Sequence, residues 1–225
     1  MIIVTGASRG LGKAITQRLI KNGEKVFGLS RSIKELKIDG IQCDVSDYLS
    51  VKNAAQNFKK KNIPIKAFIN AAGVASMNLA VTTDQTTVQR LIQTNLVGTI
   101  YCSQLFAPIM LRQKYGSFIN FSTIAVALAL KGESVYVASK AGVEAFSRSF
   151  AREMSDFNIR VNCIAPGPIK TDLLRGITDT QIEKITSQQI IQKKFKKSDV
   201  CDIVELLIDK KASSLSGQVL NVGGV

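Results

Sequence analysis

The chain of 225 residues is 45% hydrophobic and has a formal net charge of +13, which predicts one globular domain and excludes an intrinsically disordered chain. It contains no histidine and four scattered cysteines, so we expect no bound metal and reduced thiols. The longest apolar run, residues 124–130, is too short to span a bilayer, and residues 1–4 are too short for a signal peptide. We therefore expect a cytoplasmic protein with no membrane partner.

Short apolar runs alternate with amphipathic stretches along the chain, which predicts a parallel sheet with helices on both faces. The predicted strands are residues 1–6, 25–30, 41–45, 65–73, 116–123, 159–167 and 217–224. The predicted helices are residues 13–23, 48–62, about 84–113, 135–155, around 179–191 and 200–209. We expect an α/β fold, with a single Rossmann-like domain over residues 1–225 and a doubly wound parallel sheet of about seven strands.

A glycine-rich turn, "TGASRGLGKA", follows the first predicted strand and opens the first helix. Gly6, Gly10 and Gly12 would let the backbone turn tightly and approach a pyrophosphate, and the helix N-terminus favours an anion. A P-loop would need glycine at position 7 and serine or threonine at position 14, but both positions hold alanine. The turn therefore predicts a dinucleotide site.

A tyrosine and a lysine, Tyr136 and Lys140, stand four residues apart within the predicted helix 135–155. Residues at this spacing share one face of a helix. A phenol beside an ammonium group is expected to have a lowered pKa, because the cation favours the phenolate. The pair predicts a general acid/base in a chain without histidine.

Several elements in order resemble the short-chain dehydrogenase/reductase family over essentially the whole chain. They are "TGASRGLG" at 5–12, "CDV" at 43–45, "NAAG" at 70–73, Asn95, "YVASK" at 136–140, "PGPIKTD" at 166–172 and the closing "GQVLNVGG". The resemblance implies an NAD(P)(H)-dependent oxidoreductase that interconverts a carbonyl and an alcohol. It also implies that residues 168–197 hold the substrate segment.

The resemblance assigns roles to individual residues. Tyr136 would be the proton donor, Lys140 would lower its pKa and hold the nicotinamide ribose, and Asn95 would hold a water in a proton relay. The residues expected to bind the cofactor are Gly6, Ser8, Arg9, Gly10, Leu11, Gly12, Ser30, Arg31, Cys43, Asp44, Val45, Asn70, Ala71, Gly73, Tyr136, Lys140, Pro166, Gly167, Ile169 and Thr171.

Within that set, Asp44 would meet the adenine edge, Asn70 and Gly73 would line the adenosine side, and Thr171 would bond the nicotinamide carboxamide. Alternatives stay open for two of the assigned residues. Asn95 could instead cap or kink the long helix, and Asp44 could form an ordinary Asx turn.

One position departs from the family pattern. The family usually has serine 13 residues before the tyrosine, where it bonds the substrate carbonyl, but that position here is Thr123. Ser122 is its neighbour, and adjacent residues of a strand face opposite sides. We favour Thr123 by spacing and keep Ser122 as the alternative.

The second predicted strand ends in Ser30 and Arg31, without the carboxylate that commonly grips the ribose 2′-hydroxyl of NAD. Arginine is well suited to a 2′-phosphate, and Arg9 adds a second guanidinium. We therefore expect NADP(H) to be preferred over NAD(H).

The substrate class is less defined by the sequence. The chain resembles the 3-oxoacyl-carrier-protein reductase branch, and the charge of +13 would attract an acidic carrier. A small ketone, aldehyde or sugar-derived carbonyl is the alternative, as is a catalytically silent nucleotide-binding regulatory protein.

We expect no nucleic-acid partner, because no binding motif surrounds the basic runs at 59–61 and 193–197. The family commonly pairs its long helices, so a homodimer or homotetramer is expected.

Overall fold

Seven parallel strands form one sheet in the computed structural model, which describes residues 1–33, 38–169, 171 and 178–225. The strands are β1 (Ile2–Thr5), β2 (Val26–Ser30), β3 (Gly40–Gln42), β4 (Ala67–Asn70), β5 (Gly116–Phe121), β6 (Ile159–Ala165) and β7 (Val219–Asn221). Their order is β3-β2-β1-β4-β5-β6-β7, which is the doubly wound dinucleotide-binding order with one added strand. The predicted seven-stranded α/β fold is confirmed.

Helices cover both faces of this sheet. They are α1 (Gly10–Lys21), α2 (Tyr48–Lys60), α3 (Gln85–Leu91), α4 (Gly98–Gln113), α5 (Ala125–Leu128), α6 (Ser134–Ser155), α7 (Asp179–Thr186) and α8 (Lys197–Ile208). Short 3₁₀ turns lie at Ala80–Thr82 and Lys210–Ala212. No helix in the described part of the chain is long and apolar enough to cross a membrane.

The two hydrophobic cores follow from the alternation of side chains along each strand. In β1, Ile3 faces one core together with the buried residues of α2, α4 and α6. Its neighbours Ile2 and Val4 face the other core, under α1 and α8. Strands buried on both faces have no polar side, which explains their continuous apolar sequences.

The predicted helix at about 84–113 is continuous but irregular. A π-helical segment, Ile92–Val97, separates α3 from α4. Such a segment widens the helix by shifting its hydrogen bonds by one residue, and it commonly occurs at functional sites. It carries Asn95, so this residue stands where the helix changes its hydrogen-bond pattern.

Several predicted boundaries were too long. The third strand ends at Gln42 rather than at residue 45, the fourth spans Ala67–Asn70, and the last spans Val219–Asn221. The apolar residues beyond these ends are buried by packing rather than by strand pairing. Cys43 and Val45, for example, belong to the core under α2 and α4.

The strand order places a crevice at the carboxyl ends of β1 and β4. The chain leaves β1 toward β2 on one side, whereas β4 leads to β5 on the other. Ligands of open α/β sheets bind where the order reverses in this way.

Candidate functional site

The turn between β1 and α1 depends on glycine for steric reasons. Gly6 and Gly10 have φ angles of +66° and +58°, where side chains with a Cβ are disfavoured. A Cβ on Gly12 would lie 2.3 Å from the carbonyl oxygen of Gly6, and one on Gly6 would lie 2.9 Å from Cα of Ala72. The absence of these atoms lets α1 and the end of β4 approach the turn closely.

Helix α1 begins at this turn with its first N–H groups open to an anion. Arg9 precedes it in an extended conformation and makes no side-chain cap, and the first turn contains no acidic residue. The partial positive charge of a helix N-terminus is therefore not offset by a carboxylate there. Arg9 itself is exposed, and Leu11 packs against the core under α1 and α8.

The end of β2 offers hydroxyls and a guanidinium. Ser30 Oγ donates a hydrogen bond to Ser8 Oγ at 2.6 Å and accepts one from the main-chain N–H of Ser32 at 3.2 Å. The Arg31 side chain is 62% exposed and lies 4.0 Å from Asp44. The β1 and β2 turns are thus joined through two small polar side chains.

The segment after β3 holds its conformation through a turn and two buried residues. Asp44 Oδ1 accepts hydrogen bonds from the N–H and the hydroxyl of Ser46, at 3.0 and 2.6 Å. This is the Asx turn that the sequence left open. Burial raises the pKa of the Cys43 thiol to about 11, so Cys43 and Val45 are packing residues whose side chains face the core.

The side chain of Asn70 is not at the crevice. It is buried and donates to Asn120 Oδ1 at 2.8 Å and to Ser103 Oγ at 3.3 Å. Asn120 in turn donates to Ser147 at 2.8 Å. The network joins β4 and β5 to α4 and α6, and the lining of the adenosine side by Asn70 stays a prediction, which its main chain would have to meet. An interior amide must find partners there, and those partners turn it inward.

The residues after Asn70 run close to α6. The N–H of Ala72 donates to Thr5 Oγ1 at 3.0 Å, while Ala71 packs against the core under α1 and α8. A Cβ on Gly73 would lie 3.3 Å from Asn95 Oδ1 and 3.5 Å from Lys140 Nζ. Glycine at this position leaves space beside both polar atoms.

Asn95 is fully buried and uses its whole amide group. Its Oδ1 accepts from the N–H of Val74 at 2.8 Å, and its Nδ2 donates to the Val74 carbonyl at 2.9 Å and to Ser139 Oγ at 3.0 Å. The main-chain carbonyl of Asn95 accepts from Thr99 Oγ1 at 2.7 Å. The amide therefore positions the Val74 segment against α6.

Lys140 lies buried beneath Tyr136 on α6. Its Nζ donates to the carbonyl of Phe121 at 2.8 Å, and burial lowers the pKa of the ammonium to about 8, opposed by a smaller contribution from Cys163. An ammonium carries three donors. The described residues show one acceptor for it, and the open space at Gly73 leaves room for a ligand hydroxyl beside it.

The expected lowering of the Tyr136 pKa is not found. Burial raises the pKa of this phenol, the negative charge of Glu133 acts in the same direction, and a hydrogen bond with the Thr123 hydroxyl opposes both. A lysine charge alone would lower the pKa of the phenol, but desolvation disfavours every charged form and raises it.

The structure separates Thr123 from Ser122. The Thr123 hydroxyl bonds to Tyr136 and accepts the N–H of Ala125 at 3.2 Å. Ser122 is buried and donates to Glu144 Oε1 at 2.6 Å, and that carboxylate also pairs with Arg148 at 3.2 Å. The side chain that meets the tyrosine is therefore that of Thr123.

The loop after β6 is described only in part. The Pro166 carbonyl accepts the N–H of Ile124 at 3.1 Å, and Ile169 is buried in the core under α1 and α8. Thr171 is described, but residues 170 and 172–177 lie outside the described residues. Much of the predicted substrate segment 168–197 therefore has no structural account.

Two residues near the site had no place in the sequence interpretation. Gln189 is buried, donates to the Val222 carbonyl at 2.9 Å, and lies against Gly167, where a Cβ would meet its Oε1 at 2.8 Å. No sequence pattern marks it. Glu133 is buried at the start of α6, and the helical spacing that pairs Tyr136 with Lys140 would also have found this residue, three positions before the tyrosine.

The crevice residues fit a nicotinamide dinucleotide. The α1 N-terminus and the glycine turn suit a pyrophosphate, and the space at Gly73 lies between two polar groups that suit a ribose. The residues that would hold it are the main chain of Gly6–Gly12, Ser30 and Arg31, Asp44, Gly73 and Lys140.

Comparison with known proteins shows the family of the chain. Residues 1–182 match the short chain dehydrogenase family. A 3-oxoacyl-[acyl-carrier-protein] reductase of Staphylococcus aureus is 32% identical over 99% of this chain and 96% of its own length. One of Mycobacterium tuberculosis is also 32% identical, over 99% of this chain and 91% of its own length.

Two solved structures are similar over almost the full chain. Ligand-free aldohexose dehydrogenase of Thermoplasma acidophilum is 33% identical with a TM-score of 0.88, covering 99% of this chain and 92% of that one. ElxO with NADP bound is 26% identical with a TM-score of 0.89, covering 98% and 96%. The chain belongs to the short-chain dehydrogenase family, and it is an oxidoreductase built on a nucleotide-binding Rossmann-like fold.

Proposed function

We propose that the protein is an NADP(H)-dependent oxidoreductase that interconverts a carbonyl and an alcohol, with Tyr136 as its general acid/base. The observation that carries this proposal is the convergence of Tyr136, Thr123 and Lys140 at the carboxyl ends of the central strands. Thr123 follows β5, whereas Tyr136 and Lys140 stand on α6. A protein that only bound a nucleotide would have no use for this set.

The chain's own residues would handle one proton and the geometry of the substrate. The bound dinucleotide supplies the hydride. Tyr136 donates its proton to the carbonyl oxygen, and the Thr123 hydroxyl orients that oxygen by a hydrogen bond. The raised pKa means that the phenol keeps its proton at neutral pH, which is the state that a proton donor needs. Asn95 holds α6 against the Val74 segment, beside which a water relay would return the proton.

The preference for NADP(H) is supported by the end of β2. Ser30 and the exposed Arg31 replace the usual carboxylate, and Arg9 adds charge at the glycine turn. We expect kcat/KM to be higher with NADPH than with NADH, and Arg31→Ala to reduce that ratio. Arg152→Ala, which removes an exposed arginine of α6, is the control. Equal kcat/KM for the two cofactors in the unmodified protein would contradict the preference.

The activity itself can be tested by following the absorbance of NADPH with a panel of ketones and aldehydes. Turnover that Tyr136→Phe abolishes would support an enzyme. Tight NADPH binding without turnover of any carbonyl would instead support a catalytically silent nucleotide-binding protein.

A substrate tethered to an acidic carrier protein is the first candidate. The two bacterial relatives are reductases of carrier-linked 3-oxoacyl groups by name. The net charge of +13 would attract an acidic partner. Arg112 and Lys114, expected beside the pocket, are exposed where α4 leads into β5, at the amino end of that strand and so at the edge of the sheet opposite the crevice. Lys170 and Arg175, the other basic residues expected beside the pocket, lie outside the described residues.

Ionic strength tests this first candidate. The kcat/KM for a carrier-linked 3-oxoacyl substrate should fall steeply with salt, whereas that for a small neutral ketone should barely change. The same salt response for carrier-linked and free thioesters would exclude the acidic carrier.

A small hydroxylated carbonyl, such as one derived from a sugar, is the second candidate. The similar solved structure from Thermoplasma acidophilum is an aldohexose dehydrogenase by name. The observation in this chain that favours it is the buried carboxylate of Glu133 beside Tyr136, because an acyl chain offers such a group no hydrogen-bond donor.

A homodimer or homotetramer formed through α4 and α6 is part of the proposal. It rests on the family resemblance. Size-exclusion chromatography with light scattering would test it, and a monomer would contradict it.

A further inference from the structure

A buried carboxylate without a partner lies at the start of the catalytic helix. Glu133 is 9% exposed and directly precedes α6. Its main chain is engaged, with its N–H donating to the Leu130 carbonyl at 3.3 Å and its carbonyl accepting from Val137 at 2.7 Å. Its side chain makes no cap hydrogen bond, and the described residues give its carboxylate no donor and no ion pair. Burial without a partner is costly for a carboxylate.

The carboxylate belongs to the same helix face as the catalytic pair. Glu133, Tyr136 and Lys140 are separated by three and four residues, the spacings that align side chains along a helix. The proximity is electrostatic as well, because the charge of Glu133 acts on the Tyr136 phenol. A substrate whose carbonyl oxygen meets Tyr136 would therefore bring its neighbouring atoms near this carboxylate.

The described residues around Glu133 provide no hydrogen-bond donor and no cation for its carboxylate. A depression of about 270 Å³ is lined by Ala129, Leu130, Ser134, Val137 and Ala138, which are chain neighbours of Glu133, and Glu133 is not part of that lining. The lining is almost entirely apolar. Lys131 is exposed and forms no ion pair with Glu133 in the described structure. The Glu133 side-chain oxygens are not among the fully enclosed polar atoms that lack a partner, so water reaches the carboxylate in the free protein, and a bound substrate would take the place of that water.

We propose that Glu133 is a specificity-determining residue, whose carboxylate accepts a hydrogen bond from a hydroxyl group on the carbon next to the substrate carbonyl. The inference rests on the proposed function and selects its second candidate. A hydroxyl fits better than an ammonium group, because a cationic substrate would also approach Lys140 in a chain with a net charge of +13.

The proposal predicts discrimination against substrates that lack the hydroxyl. A methyl group in its place would leave the carboxylate buried and unpaired, and sites built to bond a hydroxyl reject such analogues strongly. A 3-oxoacyl chain has no donor at this position and would be rejected for the same reason.

Hydroxyacetone and 2-butanone form a matched pair of probes, since they differ only by hydroxyl and methyl on the carbon next to the carbonyl. We expect kcat/KM with NADPH to favour hydroxyacetone by at least about tenfold, as for a hydrogen bond to a charged group. Glu133→Leu should bring the ratio close to one. Because the Glu133 side chain makes no cap hydrogen bond, none is lost, and thermal unfolding will check the fold. Glu153→Gln, at an exposed position of the same helix, is the control and should keep the wild-type ratio.

A second measurement separates a contact with substrate from a merely structural role. Glu133→Gln removes a charge that opposes the phenolate, so the limb of the kcat–pH profile that depends on Tyr136 should move to lower pH. Glu133→Asp keeps the charge and withdraws it by one methylene, so it should reduce the hydroxyacetone preference while moving that limb less.

The outcomes distinguish the two proposals. A wild-type ratio near one, or an unchanged ratio in Glu133→Leu, overturns the role of Glu133. Turnover of carrier-linked 3-oxoacyl substrates with no preference for hydroxyacetone also overturns it and leaves the carbonyl reductase intact. No turnover of any carbonyl overturns the proposed function, and the role of Glu133 with it.

Discussion

The glycine turn after β1 and the first turns of α6 face the same crevice but work in opposite ways. The glycine turn depends on the lack of side chains, because a Cβ on Gly6 or Gly12 would collide with neighbouring main-chain atoms. At α6 the side chains carry the chemistry, and Tyr136, Lys140 and Glu133 all have pKa values moved by burial. Shape dominates the first region and desolvation dominates the second.

This difference predicts different responses to substitution. A change at the glycine turn should alter the affinity for the dinucleotide and the stability of the fold. A change at α6 should alter rates and their pH dependence, because it acts on groups that gain or lose a proton. The following variants test whether binding and stability on one side, and rates on the other, respond separately.

The largest effect is expected for Tyr136→Phe. Removing the phenolic proton should lower kcat by ~10²–10⁴-fold, the usual contribution of general acid catalysis, with the dissociation constant for NADPH nearly unchanged. Steady-state rates and calorimetric titration measure the two quantities. A variant that kept more than a tenth of the wild-type kcat would show that another group donates the proton.

Gly12→Ala should act on binding and stability instead. The added Cβ would lie 2.3 Å from the Gly6 carbonyl oxygen, so the turn or the start of α1 must move, at a cost of about 1–3 kcal/mol in the free energy of unfolding. The affinity for NADPH should fall with it. Gly23→Ala is the control: its φ of +81° makes alanine strained there too, but it lies at the far end of α1. Equal loss of NADPH affinity in both variants would mean that the turn has no special role.

Lys140 should make the stability of the cofactor-free protein depend on pH. Its pKa is lowered to about 8 from 10.5, so between these values the unfolded chain binds more protons than the folded one, and stability rises with pH. Lys140→Met removes this contribution. The gain in unfolding free energy from pH 7 to pH 9.5 should be larger in wild type by about 1–2 kcal/mol.

Urea denaturation at the two pH values measures that difference. Lys131→Met, at an exposed position, should behave as wild type. The same pH dependence in Lys140→Met and wild type would mean that the buried ammonium is not destabilised.

The smallest effect separates two neighbours in the turn after β5. Thr123→Ala should lower kcat/KM by about tenfold, the worth of one hydrogen bond, with little change in stability. Ser122→Ala should do the reverse, because it removes a donor from the buried carboxylate of Glu144. The opposite ranking of activities would transfer the carbonyl-binding role to Ser122.

Part of this molecule could be predicted from local patterns. Alternating apolar runs predicted the strands and their order of appearance, and the glycine spacing predicted a tight turn ahead of a helix. The spacing of Tyr136 and Lys140 placed them on one helix face, and a count of 13 residues favoured Thr123. The strands, the tight turn and the shared helix face depend on sterics or on a repeat within a few residues, whereas the count of 13 residues comes from the resemblance to the family.

Other features depend on residues far apart in the chain. Asn70 turns inward because Asn120 and Ser103 offer it partners, and the π-helical segment brings Asn95 to Val74 and Ser139. The pKa of Tyr136 moves opposite to the expected direction because burial and the charge of Glu133 outweigh the hydrogen bond with Thr123. The sequence by itself determined which titratable groups are present and on which helix or strand each one stands. The desolvation of a group depends on all the residues packed around it, so its pKa is decided only when distant elements pack together.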